Sequence, residues 1–188
     1  MTREGFKKLF WGFLFILMDF RIQGIDILPD VIGYLFFAGA IKSLAQNSEL
    51  FNSAVKLNTA MIFISIVYVY EKPNTQSGVH ISQGPFGTLG TVIGIVGFFV
   101  SLFLVHKIFM GIKEMGNKHG DFNIASEAGK RWTQYVFLQF AVVFLILFLL
   151  IPPLAILYLI GLVIFNLIYI FLVLGFMKRC EIAFSHLD

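Results

Sequence analysis

Long apolar runs separated by short polar segments dominate the pattern of this chain. Six stretches are apolar enough to be membrane spans, and they cover approximately residues 6–23, 30–46, 54–70, 89–106, 132–151 and 154–177. A bilayer core about 30 Å thick needs about 20 residues of helix. These stretches have no continuous polar face of the kind that a helix on a soluble protein presents to water. The pattern therefore predicts an all-α integral membrane protein, with residues 1–188 as a single transmembrane domain.

The last four stretches carry the clearest signal. Residues 135–177 contain no charged residue, and Pro152-Pro153 interrupts them near the middle. A single helix of that length would be about twice as long as a bilayer core is thick. Tandem prolines remove two backbone donors and disfavour helix in the residue before them. The run is therefore predicted to be two antiparallel spans with a tight turn at the prolines, the last of three helical hairpins.

The first two stretches are weaker, because their uninterrupted apolar runs cover only Leu9–Met18 and Val31–Ile41. Each has to recruit flanking residues to cross a bilayer. An alternative to six spans therefore stays open, namely four spans plus an N-terminal re-entrant hairpin formed by residues 9–41. The alternatives differ in whether residues 19–30 lie at the outer surface or inside the membrane, where irregular backbone must be buried in protein or line water.

Positive charge is distributed unevenly between the predicted loops. If the amino terminus lies inside the cell, only Arg21 and Lys72 of the 14 basic residues fall outside. Because cytoplasmic loops carry an excess of Lys and Arg, the chain is predicted to have both ends in the cytoplasm. The basic residues predicted on the cytoplasmic side are Arg3, Lys7, Lys8, Lys42, Lys56, Lys107, Lys113, Lys118, Lys130, Arg131, Lys178 and Arg179.

Composition serves mainly to exclude other classes of protein. Hydrophobic residues make up 58% of the chain, charged residues 13%, and the mean hydropathy is +0.85, whereas soluble domains carry about 25% charged residues. A net charge of +3 is explained by the uneven loops, so no nucleic acid is expected as a partner. The expected partner is the lipid bilayer, and the expected location is the cell membrane. The single cysteine, Cys180, excludes an internal disulfide.

Charge is concentrated between the first two predicted helices, where Asp19, Arg21, Asp26 and Asp30 lie within twelve residues. Carboxylates near a membrane are costly unless they are solvated or paired, and those inside a membrane usually serve function. One interpretation is an ordered outer turn, with Asp26 as a cap and Asp30 favoured by the helix dipole. The other is a polar site that these four residues form together.

Small residues recur at spacings of three and four around the fourth stretch. This spacing places them on one helix face, where small side chains let another backbone approach closely. Packing within the chain is one interpretation, and a homodimer seam or a contact with another membrane protein is the alternative. The helix-packing seam consists of Gly87, Gly90, Gly94, Gly97 and Ser101.

The amino-terminal region resembles a known sequence signature. Asp19-Phe-Arg-Ile, followed by Ile25-Asp-Ile-Leu-Pro-Asp-Val-Ile-Gly-Tyr34, resembles the signature of small multi-pass membrane proteins from Firmicutes that have no assigned role. The resemblance covers roughly residues 6–44. It implies a bacterial plasma-membrane protein, and it implies no activity, cofactor or catalytic residue.

No motif for a catalytic, cofactor-binding or metal site accompanies these features. The sequence has no His-Glu-x-x-His pair, no dinucleotide fingerprint and no Gly-x-Ser-x-Gly elbow, and Gly129-Lys130-Arg131 lacks the Ser or Thr of a P-loop. We therefore expect a non-enzymatic accessory, immunity or sensing component without a cofactor. A small transporter with a polar site at residues 19–30 and an intramembrane enzyme that uses the same residues are the alternatives.

Overall fold

Helices make up most of the structure. The computed structural model describes residues 1–18, 29–68, 87–145, 147–148 and 151–187, and the backbone of residues 21–22, 25–26 and 146. The expected helical architecture is confirmed in this part of the chain. Its α-helices are α1 (Thr2–Leu17), α2 (Asp30–Leu44), α3 (Glu49–Val67), α4 (Thr88–Lys118), α5 (Phe122–Phe148) and α6 (Pro152–Ala183).

Two short elements complete the described structure. Between α1 and α2, β1 (Arg21–Ile22) pairs antiparallel with β2 (Ile25–Asp26), so that Arg21 lies opposite Asp26. A 3-10 turn over Ser185–Leu187 follows α6.

Local chemistry sets several helix ends. Ser48 accepts a hydrogen bond from the backbone N–H of Leu50 at 3.1 Å and so caps α3. The turn between α4 and α5 contains Gly120, with a φ of 75°, and Asp121, whose Oδ1 accepts the N–H of Ile124 at 3.0 Å. Both are common solutions for helix ends, where backbone groups lack intrahelical partners. α6 begins at Pro152 itself, because the first helical turn needs no proline N–H.

Neighbouring helices pack in chain order, and α1 also packs against α6, so the helices form a closed ring. Contacts at both ends of each pair show that neighbours are antiparallel. For example, Tyr158 of α6 donates to the carbonyl of Ala141 at 2.8 Å, and Arg179 at the other end of α6 pairs with Glu127. We call the end that carries both termini the basic end and the opposite end the cavity end. The basic end contains Thr2, Leu44, Glu49, Lys118, Phe122 and Ala183, and the cavity end contains Leu17, Asp30, Val67, Thr88, Phe148 and Pro152.

Aromatic side chains fill the ring towards the basic end. Phe13 stacks on Phe109 with ring centroids 5.4 Å apart and meets Phe37 edge-on at 4.9 Å. Such pairs contribute about 0.5–1.5 kcal/mol beyond the area that they bury. The phenylalanines of this core that are fully buried are Phe6, Phe13, Phe37, Phe51, Phe109, Phe176 and Phe184.

Within the described residues, three helices are long and apolar enough to cross a membrane: Glu49–Val67, Thr88–Lys118 and Pro152–Ala183. Large apolar side chains cover the outside of the ring, among them Phe63 at 68% exposure and Phe171 at 76%. Apolar patches of this extent are unfavourable in water and mark a surface that meets another apolar phase or a partner. These features indicate a membrane protein.

Candidate functional site

At the cavity end, the helices α1 and α2 stop short of the termini of their neighbours. They contain 16 and 15 residues, or roughly 22–24 Å of helix. The carbonyl of Leu17, the last residue of α1, accepts a hydrogen bond from Asn166 Nδ2 at 3.3 Å. Asn166 follows the first residue of α6 by 14 positions, which is about 21 Å of helix. The ring therefore has six described helices at the basic end, while α4, α5 and α6 continue further at the cavity end.

A cavity of about 250 Å³ lies beside the start of α2. It is polar, since seven of the twelve lining residues carry hydrogen-bonding side chains. Five helices contribute to it, because α1 to α5 all converge at this level of the ring. The lining residues are Ile16, Asp30, Tyr34, Met61, Ile64, Ser65, Tyr68, Gly94, Gly97, Ser101, Tyr135 and Gln139.

Hydrogen bonds between helices hold several of these side chains in place. Tyr135 is 2% exposed and is hydrogen-bonded to Ser101 and Gln139. The Tyr68 hydroxyl donates to the carbonyl of Gly90 at 2.5 Å. Buried polar groups are costly unless they are paired, and paired networks rigidify a site. The phenols are therefore held in fixed positions around the cavity.

Asp30 supplies the only charge among the described lining residues. It is half-buried in the first turn of α2, and its carboxylate acts electrostatically on the phenols of Tyr34 and Tyr135. A negative charge that lines a cavity between packed helices attracts cations more strongly than the same charge in bulk water. Aromatic ring faces attract organic cations as well. A small cation that also makes hydrogen bonds is the ligand that this chemistry favours.

The structure describes the four residues of the predicted polar site to different extents. Asp30 lines the cavity. Arg21 and Asp26 lie opposite each other in the β1–β2 pair, where the structure describes the backbone alone. Asp19 lies outside the described residues. The structure thus brings Arg21 and Asp26 together as backbone partners and places Asp30 in the cavity.

Two glycines of the helix-packing seam, Gly94 and Gly97, face α3 of the same chain. A Cβ placed on Gly94 would lie 3.2 Å from Tyr68 Oη, and one on Gly97 would lie 3.1 Å from Ile64 Cγ2. Close approach of α3 and α4 is therefore one use of this face. The other members are Gly87, which precedes α4 with a φ of 57°, Gly90, which accepts the Tyr68 hydroxyl, and Ser101, which lines the cavity.

Ion pairs join the helices at the basic end. Glu181 is 5% exposed and pairs with Arg3 at 3.2 Å and Lys178 at 3.4 Å. Burial alone would raise the pKa of Glu181, but the hydrogen bonds from Arg3 and Lys178 outweigh burial and lower it. The pKa of Glu127 is lowered in the same way, with burial opposed by Arg179 and Arg131. These carboxylates tie α6 to α1 and α5.

Cys180 is fully buried, and burial raises the pKa of its thiol. A buried protonated thiol is a poor nucleophile. Among the described residues, no group of three or more His, Cys, Asp or Glu side chains could hold a metal ion.

The sequence contained only indirect signals of the cavity. Ser65 and Gln139 are polar residues within apolar runs, and Tyr34 belongs to the signature that includes Asp30. Their meeting with Tyr68 and Tyr135 depends on how the helices rotate in the ring. Comparisons with known proteins found no matching family model, curated protein or solved structure.

Proposed function

We propose that this chain is a multi-pass membrane protein of the cell membrane that binds a small organic cation from the outer side, as a non-enzymatic sensing component. The basic end would face the cytoplasm, with both termini inside, because that end carries twelve of the 14 basic residues. The cavity end would then face outwards. The resemblance to small Firmicutes membrane proteins supports a bacterial plasma membrane.

Helix length bears on the topology. The paired residues Asn166 and Leu17 place the end of α1 deep along α6. We infer that α3 to α6 cross the bilayer and that the α1–α2 hairpin enters from the cytoplasmic side, which is the four-span alternative. Asp30 would then lie within the membrane thickness, where a carboxylate is costly unless it serves a site.

A depth measurement separates this topology from six full spans. A fluorophore attached at Met18→Cys, in a Cys180→Ser background, would be quenched most by lipids brominated near the middle of the acyl chains. Strongest quenching by lipids brominated next to the headgroup would instead support six spans.

The observation that carries the proposed function is the convergence of one carboxylate and three phenols on a small cavity. Carboxylates compensate the charge of an ammonium group, and aromatic rings bind its alkyl surface. The described part of the cavity lining contains no cationic side chain. Anionic ligands are therefore disfavoured.

A small cation transporter is the second candidate, because the cavity lies between helices of a ring at membrane depth. Transport needs access from both sides. Towards the basic end, the described ring is filled by buried aromatic side chains such as Phe13, Phe37 and Phe109. This packing favours binding from one side over passage, since a transporter would have to separate these rings in every cycle.

Thermal unfolding of the purified protein in detergent tests the binding proposal. Tetramethylammonium at saturating concentration should raise the unfolding midpoint by about 2–4 °C, since a ligand that binds only the folded state stabilises it. The uncharged tert-butanol should have no such effect. Asp30→Asn should abolish the shift, and the matched exposed carboxylate variant Glu4→Gln should retain it. An equal shift in Asp30→Asn would refute the proposed site.

Flux measurements decide between sensing and transport. In proteoliposomes, the sensing proposal predicts no uptake of radiolabelled tetramethylammonium above the level of empty liposomes. Uptake that Asp30→Asn abolishes would establish transport instead.

A further inference from the structure

A second open site lies between α4 and α5 at the basic end, on the outside of the ring. It is a groove of about 540 Å³, which we call the α4–α5 groove. Its lining includes two lysines and three side chains with a hydroxyl or amide group, but no carboxylate. The described lining residues are Lys113, Ala125, Ser126, Gly129, Lys130, Thr133, Gln134 and Phe137.

The two lysines set the charge of the groove. Within the part of the chain that the structure describes, neither Lys113 nor Lys130 forms an ion pair. The nearby arginines of the basic end, Arg131 and Arg179, instead pair with Glu127. Two ammonium groups beside a groove without an acid favour an anion.

The floor of the groove and its far end give the shape of that anion. A Cβ placed on Gly129 would meet nothing within 4 Å, so this glycine leaves open space in the floor of the groove. Phe137 follows Gly129 by eight positions on α5, about 12 Å closer to the cavity end. Phe137 is 68% exposed on the outside of the ring. The groove is thus cationic at one end and apolar at the other, as an anionic amphiphile requires.

We infer that the α4–α5 groove binds the headgroup of an anionic phospholipid of the cytoplasmic leaflet, with its acyl chains beside Phe137. The phosphate would lie between Lys113 and Lys130, and Ser126 and Gln134 would supply further hydrogen-bond donors. Basic pockets between membrane helices on the cytoplasmic side bind anionic headgroups by this chemistry. The inference rests on the proposed cytoplasmic orientation of the basic end, but not on the cation cavity.

Native mass spectrometry of the full chain in detergent tests the inference, with dioleoyl-phosphatidylglycerol as the probe and dioleoyl-phosphatidylcholine as the matched zwitterionic lipid. We expect one phosphatidylglycerol to remain bound preferentially. Lys113→Gln and Lys130→Gln should each weaken its binding about fivefold, as a surface Lys contributes about that factor. Lys118→Gln removes an exposed charge of the same end that does not line the groove, and should leave binding unchanged.

A variant that fills the groove tests the contribution of its shape to lipid binding without changing its charge. Gly129→Leu should fill the floor and reduce phosphatidylglycerol binding at least as much as either lysine variant, although both lysines remain. Gly161→Leu places the same side chain at another glycine with open space around it and should bind normally. The inference would be overturned if Lys118→Gln weakened binding as much as the groove lysine variants, or if both lipids bound equally. Normal binding by Gly129→Leu, or displacement of the lipid by inorganic phosphate, would also overturn it.

Discussion

The two ends of the ring differ in how their helices are held. At the basic end, phenylalanines from five helices are fully buried, and the carboxylates of buried Glu181 and half-buried Glu127 pair with cations of neighbouring helices. At the cavity end, the first half of α6 has only Ala155 buried among its described side chains, and the space next to α2 is a polar cavity. Lipid provides no hydrophobic drive between helices, so association depends on packing and hydrogen bonds. The fold is therefore stabilised mainly at the basic end, which leaves the other end able to hold a costly polar cavity.

Removing an aromatic side chain from the packed end should have the largest effect. Phe109 is fully buried and stacks on Phe13, with Phe176 on a further helix at 6.3 Å. Phe109→Ala should lower the free energy of unfolding by about 3 kcal/mol, because it leaves a cavity in a dense core. Unfolding in a series of mixed micelles with increasing denaturing detergent measures this loss. Phe144→Ala, at 54% exposure, is the control and should cost less than about 0.5 kcal/mol. Equal losses would remove the distinction between the two ends.

Adding a methyl group at the packed end should have the next largest effect. A Cβ on Gly116 would lie 2.8 Å from the backbone N of Ala125 and 2.9 Å from the carbonyl of Asp121. Gly116→Ala should therefore cost about 2 kcal/mol through overpacking. Gly161→Ala, with nothing near its Cβ, should instead be neutral or stabilise the helix by up to about 1 kcal/mol. Calorimetric or fluorescence melting of the two variants measures whether stability falls in Gly116→Ala and stays level or rises in Gly161→Ala.

Breaking the ion pairs of the basic end should have a smaller effect that depends on pH. Glu181→Gln should cost about 1 kcal/mol at neutral pH, since its partners Arg3 and Lys178 are more than half exposed and water screens them. The measurement is the unfolding midpoint as a function of pH, with the exposed Glu4→Gln as control.

The sign of the pH dependence follows from the lowered pKa values. Glu127 and Glu181 titrate below their ordinary pKa of 4.5, so the unfolded chain binds protons first as the pH falls. The stability that these two ionised carboxylates contribute is complete above the ordinary pKa of 4.5, and it is lost as the pH falls through the lower pKa of the folded state. The midpoint should therefore stay level from neutral pH to about 5 and fall below about 4.5. A wild-type curve that rises on acidification would contradict the role of these carboxylates.

Changing the cavity should affect stability least. Asp30→Asn should lower the free energy of unfolding by less than about 1 kcal/mol, because the substitution keeps the shape of the side chain and leaves the packed aromatic core unchanged. The loss of tetramethylammonium binding would accompany it. Thermal unfolding of Asp30→Asn and Phe109→Ala under the same conditions provides the test. Comparable losses of stability would mean that the cavity end contributes as much to the stability of the fold as the basic end does.

Uninterrupted apolar runs made the helices of this chain predictable. The stretches at 54–70, 89–106 and 154–177 overlap α3, α4 and α6, which are the helices long and apolar enough to cross a membrane. Helix continuation beyond the apolar runs was less predictable. α4 reaches Lys118 and α6 reaches Ala183, because charged residues there find ion-pair partners or solvent without leaving the helix.

The candidate site was predictable only in part. Asp30 was singled out because a carboxylate near a membrane is costly, and this residue does line the cavity. Its neighbours Tyr34, Tyr68 and Tyr135 are ordinary residues for membrane interfaces and cores, and no spacing relates them along the chain. Ring closure between α1 and α6, and the depth at which α1 ends, arise from packing that no local pattern encodes.

The proposed function requires that the cavity opens to the outside while the basic end lies in the cytoplasm. Single cysteines at Ser101, which lines the cavity, and at Asn117, which is exposed at the basic end, test it in a Cys180→Ser background. In intact cells, a membrane-impermeant cationic thiol reagent should label Ser101→Cys, faster than an anionic one does, and should label Asn117→Cys only after the membrane is opened. Labelling of Asn117→Cys in intact cells, with Ser101→Cys protected, would contradict the proposed orientation.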